Sequence, residues 1–247
     1  MEIQAPPYSG SEFCNYKEYF SIVLMAMCDA NYKFTWVDIG QYGSISDGSI
    51  WSTTDLAVDL ENGTANLPEP IPLPNRDVPF SYVAMVDEAF PLKPYLMRPF
   101  PRRVGKMTDE ERIFNYRLGR ARLCIENAFG ILSSQWRILH RKMCSVQNAE
   151  RICKALICLH NFAMNSNDSK YYHLDWCDME TDEGIIIEGR WRTIGADQYF
   201  KELSRVGANR AGAISLGLRN YLRDYFIKLF KKLFKKLFKR LFYITYW

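Results

Sequence analysis

Residues 117–132 read RLGRARLCIENAFGIL, a largely apolar stretch with the look of a helix and a single carboxylate, Glu126, in its middle. Leu123 and Phe129 stand one turn to either side of that acid. A carboxylate on such a face needs a cation, a partner or a function, because an unpaired buried charge is costly. Arg117, Arg120 and Arg122 crowd the same helix. Glu126 therefore reads as a metal ligand beside a nucleic-acid backbone. The plainer reading is an ion-paired helix acid, with Arg122 four residues back.

Upstream, Thr108-Asp-Glu-Glu111 is a capping box that starts this helix: the Thr108 hydroxyl accepts the Glu111 amide while Glu111 reaches back. The helix runs on through residues 117–132, with candidate breaks near Gly130 or Ser133 and Ser134. Before it, Tyr82–Val86 (YVAMV) reads as a short buried strand that delivers Asp87 at its C-terminal end. Four prolines between Pro91 and Pro101 then make a loop bearing Arg98, Arg102, Arg103 and Lys106. Nearer the N-terminus, residues 2–4 look like the tail of a strand. Phe20–Asp29 and Tyr32–Ile39 read as a hairpin turned at Asn31. A Gly/Ser loop follows, from which Ser46 or Asp47 caps a helix reaching about Leu60. Asn62–Pro79 holds five prolines and reads as an irregular loop. Downstream, Ala149–Met164 is a second buried helix, residues 165–189 a loose acidic loop, and Tyr199–Phe226 a weaker helical region. Strand, hairpin, helix, strand, long helix, helix is an α/β order, a small mixed sheet flanked by helices in the ribonuclease-H-like manner. It divides the chain into a domain over 1–164, a helical extension over 165–226 and a tail over 227–247.

The net charge of +4 conceals a polarised chain. Residues 227–247 hold seven Lys/Arg and no acid, leaving −3 on the rest. Residues 1–87 carry −9 and residues 88–151 carry +7. An acidic part able to hold cations lies next to a basic part able to hold phosphates. Seven cysteines without repeated short spacing point to a reducing compartment rather than a disulfide framework. The opening residues do not have the pattern of a signal peptide, and no uncharged apolar run is long enough to span a bilayer.

Eight phrases, in order, resemble the PIF/Harbinger transposases, a DDE-type family: IQAPP (3–7), NYKEYFSI (15–22), GSISD (43–47), VDEAFPL (86–92), LMRPFPRR (96–103), EERIFNYRLGRAR (110–122), IENAFGIL (125–132) and CLHNF (158–162). The resemblance covers roughly residues 2–164. It implies a ribonuclease-H-like catalytic domain, DNA cleavage and strand transfer that depend on Mg²⁺ or Mn²⁺, a nuclear role, and a separate Myb-like DNA-binding partner. On its motifs the second catalytic Asp falls on Asp87 and the catalytic Glu on Glu126. The first catalytic Asp is expected in a D-G-x-H-like motif just before IQAPP, where this chain has not yet begun. The expectation is a two-carboxylate site with impaired or lost activity. The alternative is a DNA- or protein-binding relic without catalysis.

Phosphodiester cleavage of this kind uses two metal ions roughly 3.5–4 Å apart to stabilise the entering and leaving oxygens. Mg²⁺ and Mn²⁺ take hard oxygen ligands, so carboxylates are the appropriate donors. Asp47 is a candidate substitute for the missing ligand, although a helix N-cap is the more ordinary role for it. Asp87 by itself is also compatible with an acid in the turn after a strand. Arg98, Arg102, Arg103, Lys106, Arg117, Arg120 and Arg122 form the candidate phosphate-binding set, with a solvated basic face as the alternative. The spacings of His140, Cys144, Cys153, Cys158 and His160 fit no usual zinc module, and His160 is expected to fix a helix end. The repeat IKLF-KKLF-KKLF-KRLF (227–242) makes a cationic amphipathic helix able to lie on an anionic membrane or polyanion. Translated repetitive sequence unrelated to the body is the other account of it.

Overall fold

The computed structural model describes residues 1–102, 107–166, 171–181, 185–194 and 211–228, and the backbone of 242–246. In chain order the elements are β1 (Ile22–Cys28), β2 (Phe34–Tyr42), α1 (Asp47–Thr53), α2 (Asp55–Asn62), β3 (Ile71–Pro72), β4 (Pro79–Phe80), β5 (Ala84–Met85), β6 (Leu96–Met97), α3 (Asp109–Gln135), α4 (Val146–Asn165), β7 (Met179–Glu180), β8 (Ile186–Ile187), α5 (Arg190–Thr193), α6 (Ala213–Lys228) and β9 (Phe242–Tyr246). This is a mixture of helices and small sheets, as an α/β nuclease-like domain has. The chain forms two compact units, one drawn from Met1–Ser46, Leu123–Leu203 and Thr245–Trp247, the other from Asp47–Arg122 and Ser204–Ile244. Helix α3 runs from the second into the first.

In the first unit, β1 and β2 form the expected antiparallel hairpin, paired from Ile22↔Tyr42 to Cys28↔Phe34. Every residue of β1 is buried, as a continuous apolar run requires of a strand covered on both faces. The turn is organised by Asp29 rather than Asn31. The Asp29 carboxylate accepts the amides of Asn31 (2.8 Å) and Lys33 (3.0 Å), and Tyr32 takes a left-handed φ of 62°. Residues 1–4 run strand-like beside it, with Ile3 N–H bonded to Phe20 O at 2.9 Å and Gln4 N–H to Met143 O at 2.8 Å. Helix α4 buries Ala149, Cys153, Leu156, Ile157 and His160 at three- and four-residue spacing, each large apolar side chain contributing roughly 1.5–3 kcal/mol of transfer free energy.

The CLHNF motif fastens α4 to the hairpin. Asn161 exchanges two hydrogen bonds with the Phe34 backbone, at 2.9 and 2.8 Å. His160 lies five residues before the end of α4, so it does not terminate the helix. Its Nε2 lies 2.8 Å from the Tyr32 carbonyl and its Nδ1 2.8 Å from the Tyr171 hydroxyl. A carbonyl only accepts, so Nε2 carries the proton and Nδ1 accepts from Tyr171. The Tyr171 hydroxyl in turn accepts from Trp136 Nε1 at 3.2 Å.

In the second unit, β5 pairs in parallel with β6 (Ala84↔Leu96, Met85↔Met97) and with β9 (Ala84↔Phe242, Met85↔Tyr243). Of the repeat 227–242, residues 227–228 belong to α6 and Phe242 begins β9, while 229–241 lie outside the described residues. The capping box forms as expected: Glu111 N–H donates to Thr108 Oγ1 (3.2 Å) and Thr108 N–H to the Glu111 carboxylate (3.1 Å). Phe114 is fully buried and packs on Phe100 and Phe226, with ring centroids 5.2 and 5.7 Å away.

Three other expectations change. The helix from residue 47 is two helices, because Thr54 ends α1 by bonding Trp51 O (2.9 Å) and caps α2 by accepting Ala57 N–H (3.2 Å). The proline-rich stretch contains the antiparallel pair β3–β4. Helix α3 passes through Gly130, Ser133 and Ser134 unbroken; both serine hydroxyls donate to Gly130 O within the helix, at 3.2 and 2.7 Å.

Candidate functional site

Asp87 follows β5 and is 9% exposed. Its Oδ1 accepts the Ala89 amide at 2.8 Å, so the side chain shapes its own turn. Arg98 holds the same loop from behind, with Nη1 donating to Phe90 O at 3.1 Å and to Glu88 O at 3.4 Å. Helix α1 lies against this loop: Trp51 meets Phe90 edge-on at 6.2 Å, and a Cβ on Gly48 would stand 3.2 Å from Ala89 O. Asp47, the first residue of α1, is 1% exposed. The fold of this unit therefore brings the chain around Asp47 to the loop that carries Asp87.

Glu126 belongs to the other unit. Helix α3 places it between buried Ile125 and buried Asn127, its side chain 18% exposed. A cation that faces it is Arg192, with Nη2 3.7 Å from Glu126 Oε2. Arg192 is in turn gripped by Asp178, whose carboxylate accepts Nε at 3.0 and 2.9 Å and Nη2 at 2.5 Å. Burial alone would lower the Arg192 pKa, but the Asp178 bonds and the charges of Asp178, Glu126 and Glu188 hold it above the ordinary guanidinium value. Asp178 also accepts Gly189 N–H (2.7 Å) and gives its own amide to Asn127 Oδ1 (3.0 Å). Asn127 Oδ1 takes Trp191 Nε1 as well, at 2.9 Å. A Cβ on Gly130 would fall into the Trp191 ring. Glu126 is thus backed by a dense polar network on α3, α5 and the segment before β7.

Sequence reasoning did not single out Asp178, Arg192 or Asn127. The one available signal was Asn127, a second polar side chain beside Glu126 in an apolar stretch. Its partners come from a polar region that had read as loose loop.

The basic residues fare unequally. Arg102 is exposed, Arg98 turns inward to carbonyl oxygens, and Arg117, Arg120 and Arg122 are half-buried on α3. Arg103 and Lys106 lie outside the described residues. All seven cysteines are free thiols. Among the described residues no group of three or more His, Cys, Asp and Glu side chains is placed to hold a metal ion. None of their helices is long and apolar enough to cross a membrane. Asp87 and Glu126 nonetheless offer the hard oxygen donors that Mg²⁺ and Mn²⁺ take. The donor type of each fits a divalent ion.

The model of the DDE superfamily endonuclease family matches residues 1–161. The chain is also 26% identical over 170 residues to a protein described as "Protein ALP1-like" from Arabidopsis thaliana, over 68% of this chain and 41% of that protein. The aligned region thus spans about two fifths of that relative's length. No solved structure gives a significant match.

Proposed function

The chain belongs to the DDE superfamily endonucleases, and on that footing we propose that it is a transposase-derived, metal-dependent nuclease domain of the PIF/Harbinger type, ribonuclease-H-like in fold. The observation that carries the reading is the family match over residues 1–161, within which Asp87 stands two residues after the buried strand β5 and Glu126 sits on the long helix. In this reading Asp87 and Glu126 are the carboxylates that take Mg²⁺ or Mn²⁺, with Asp47 a candidate third. The ion would supply charge stabilisation to the entering and leaving oxygens of a phosphodiester. Asp87 is held in orientation by its bond to the Ala89 amide, and Glu126 by the Arg192–Asp178 pair. Arg102, with Arg103, Lys106, Arg117, Arg120 and Arg122, contacts the DNA backbone without reading sequence. Sequence recognition falls to a Myb-like partner, and the setting is nuclear.

A specific observation favours a second reading. Arg192 already supplies a positive charge to Glu126, and no three-acid group occurs among the described residues. The chain then binds DNA with little or no cleavage. A supercoiled-plasmid nicking assay with Mn²⁺ separates the two. The nuclease reading predicts nicking that disappears in Asp87→Ala and in Glu126→Ala; nicking that survives in the double variant refutes it. Absence of nicking together with salt-sensitive DNA binding supports the second.

A further inference from the structure

Arg219, on α6, lies beyond the residues matched by the endonuclease family. It is 7% exposed, an extreme degree of burial for an arginine. Its guanidinium lies over the Phe100 ring at 4.0 Å, and Nη1 donates to Pro99 O at 3.3 Å. Pro99 is the residue next to Arg98, whose own Nη1 reaches the carbonyls of Glu88 and Phe90. Both guanidiniums therefore bond backbone carbonyls of the segment 88–99.

Their partners are unusual for buried cations. Every acceptor they use is a neutral carbonyl, and neither Nε has an acceptor. Among the described residues no carboxylate pairs with either one within 4.0 Å. The neighbouring Arg223, by contrast, is neutralised by Asp224 at 2.8 Å. Burial, then the charge of Arg98, press the Arg219 pKa down to about 10, with Glu111 the opposing influence. Burial likewise lowers that of Arg98, against Glu88. Two like charges brought together without a counter-ion cost free energy that a bound anion would return. Elsewhere the same loop is rigid: Asn115 exchanges two hydrogen bonds with the Phe100 backbone, at 2.7 and 2.9 Å, and Phe100 packs on Phe114. The platform is preformed, and Arg98 beside it is half-buried.

We propose that Arg98 and Arg219 together form a binding site for a phosphate of the nucleic-acid backbone, on the Phe100 platform. Planar guanidinium forks suit the paired oxygens of a phosphodiester. A backbone phosphate is favoured over a free one because Arg98 is bonded to the loop that begins at Asp87, the expected cleavage residue; in this the site rests on the nuclease reading. Helix α6 is then part of the DNA-binding surface and not an appendage to it.

The test is fluorescence anisotropy of the full chain with a short labelled duplex in EDTA, over a salt series, comparing wild type with Arg219→Met and Arg219→Lys. Methionine keeps apolar cover on Phe100 without charge. The expected result is a roughly tenfold or greater loss of affinity for Arg219→Met, with the slope of log K against log salt falling by about 0.9. Arg219→Lys should keep the slope and lose less affinity. In parallel, inorganic phosphate should raise the Tm of wild type more than that of Arg219→Met. If phosphate stabilises only wild type while DNA affinity and slope are unchanged, the site takes free phosphate and the nucleic-acid assignment is overturned. If neither measurement moves, the anion site itself is overturned. Should Arg219→Met not fold, the lysine variant decides: affinity equal to wild type overturns the proposal. Binding in EDTA involves no cleavage, so a failed nicking assay with a changed salt slope defeats the nuclease reading and leaves this site standing. Nicking that depends on Asp87 and Glu126, with an unchanged slope, does the reverse.

Discussion

Replacing Asp178 by Ala should be among the most damaging single changes in the first unit. The side chain is 2% exposed and accepts from Arg192 Nε, Arg192 Nη2 and the Gly189 amide. Truncation orphans the Gly189 N–H and leaves Arg192 with Glu126, 3.7 Å away, as its nearest ion pair. Breaking a buried ion pair from one side costs about 3–5 kcal/mol, because the other charge stays behind. At about 2–4 °C per kcal/mol for a chain of this size, Tm should fall by roughly 10 °C. The coupling has a second signature. Removing both charges, as in Asp178→Leu with Arg192→Met, should recover part of the loss, since the guanidinium no longer stays behind without Asp178; the remainder reflects Glu126 losing Arg192 and the Gly189 amide losing its acceptor. The assay is urea unfolding followed by fluorescence, read as the shift in midpoint at constant m. A cost below about 0.5 kcal/mol for Asp178→Ala, the range of ordinary surface changes, would refute the claim that this carboxylate anchors Arg192.

Two more outcomes follow from the same unit. Gly130→Ala gains about 1 kcal/mol of helix propensity, yet its methyl would enter the Trp191 ring, which is 1% exposed and tied to Asn127; the variant should unfold at lower denaturant than wild type, and a stabilised variant would contradict this packing. Burial presses the His160 pKa from 6.5 down to about 4. The folded state therefore binds fewer protons than the unfolded one between those values. The His160 contribution is complete above pH 6.5 and is lost as pH falls toward 4, about 3 kcal/mol in all. Stability against pH should be flatter over that window in His160→Gln, and identical slopes would remove the assignment.

How far the sequence carried differs from element to element. β1 was legible because seven consecutive buried residues leave a continuous apolar run. The start of α3 was legible because a capping box is a local exchange between residues three apart. Asp87 and Glu126 were singled out only through the family motifs around them. What stayed hidden depends on contacts far apart in sequence. Gly130 looked like a helix breaker, but what it provides is room for Trp191, 61 positions on. Asp178 lay in a polar stretch that local composition marks as loop. Its burial follows from partners on α3 and α5 that no window of neighbouring residues contains. Likewise His160 was tied to a motif before its role was visible, because the Tyr32 carbonyl it holds is 128 residues away. Arg219 carried no signal at all: an arginine in a helical segment is ordinary until the Phe100 loop is placed beneath it.

The central claim, that Asp87 and Glu126 take a divalent cation, is tested most directly by titrating the metal-free chain with Mn²⁺ and following free ion by electron paramagnetic resonance. The account predicts saturable binding in wild type that is lost or severely weakened in both Asp87→Ala and Glu126→Ala, with each variant still folded by circular dichroism. Binding of equal strength and stoichiometry in wild type and both variants would contradict it.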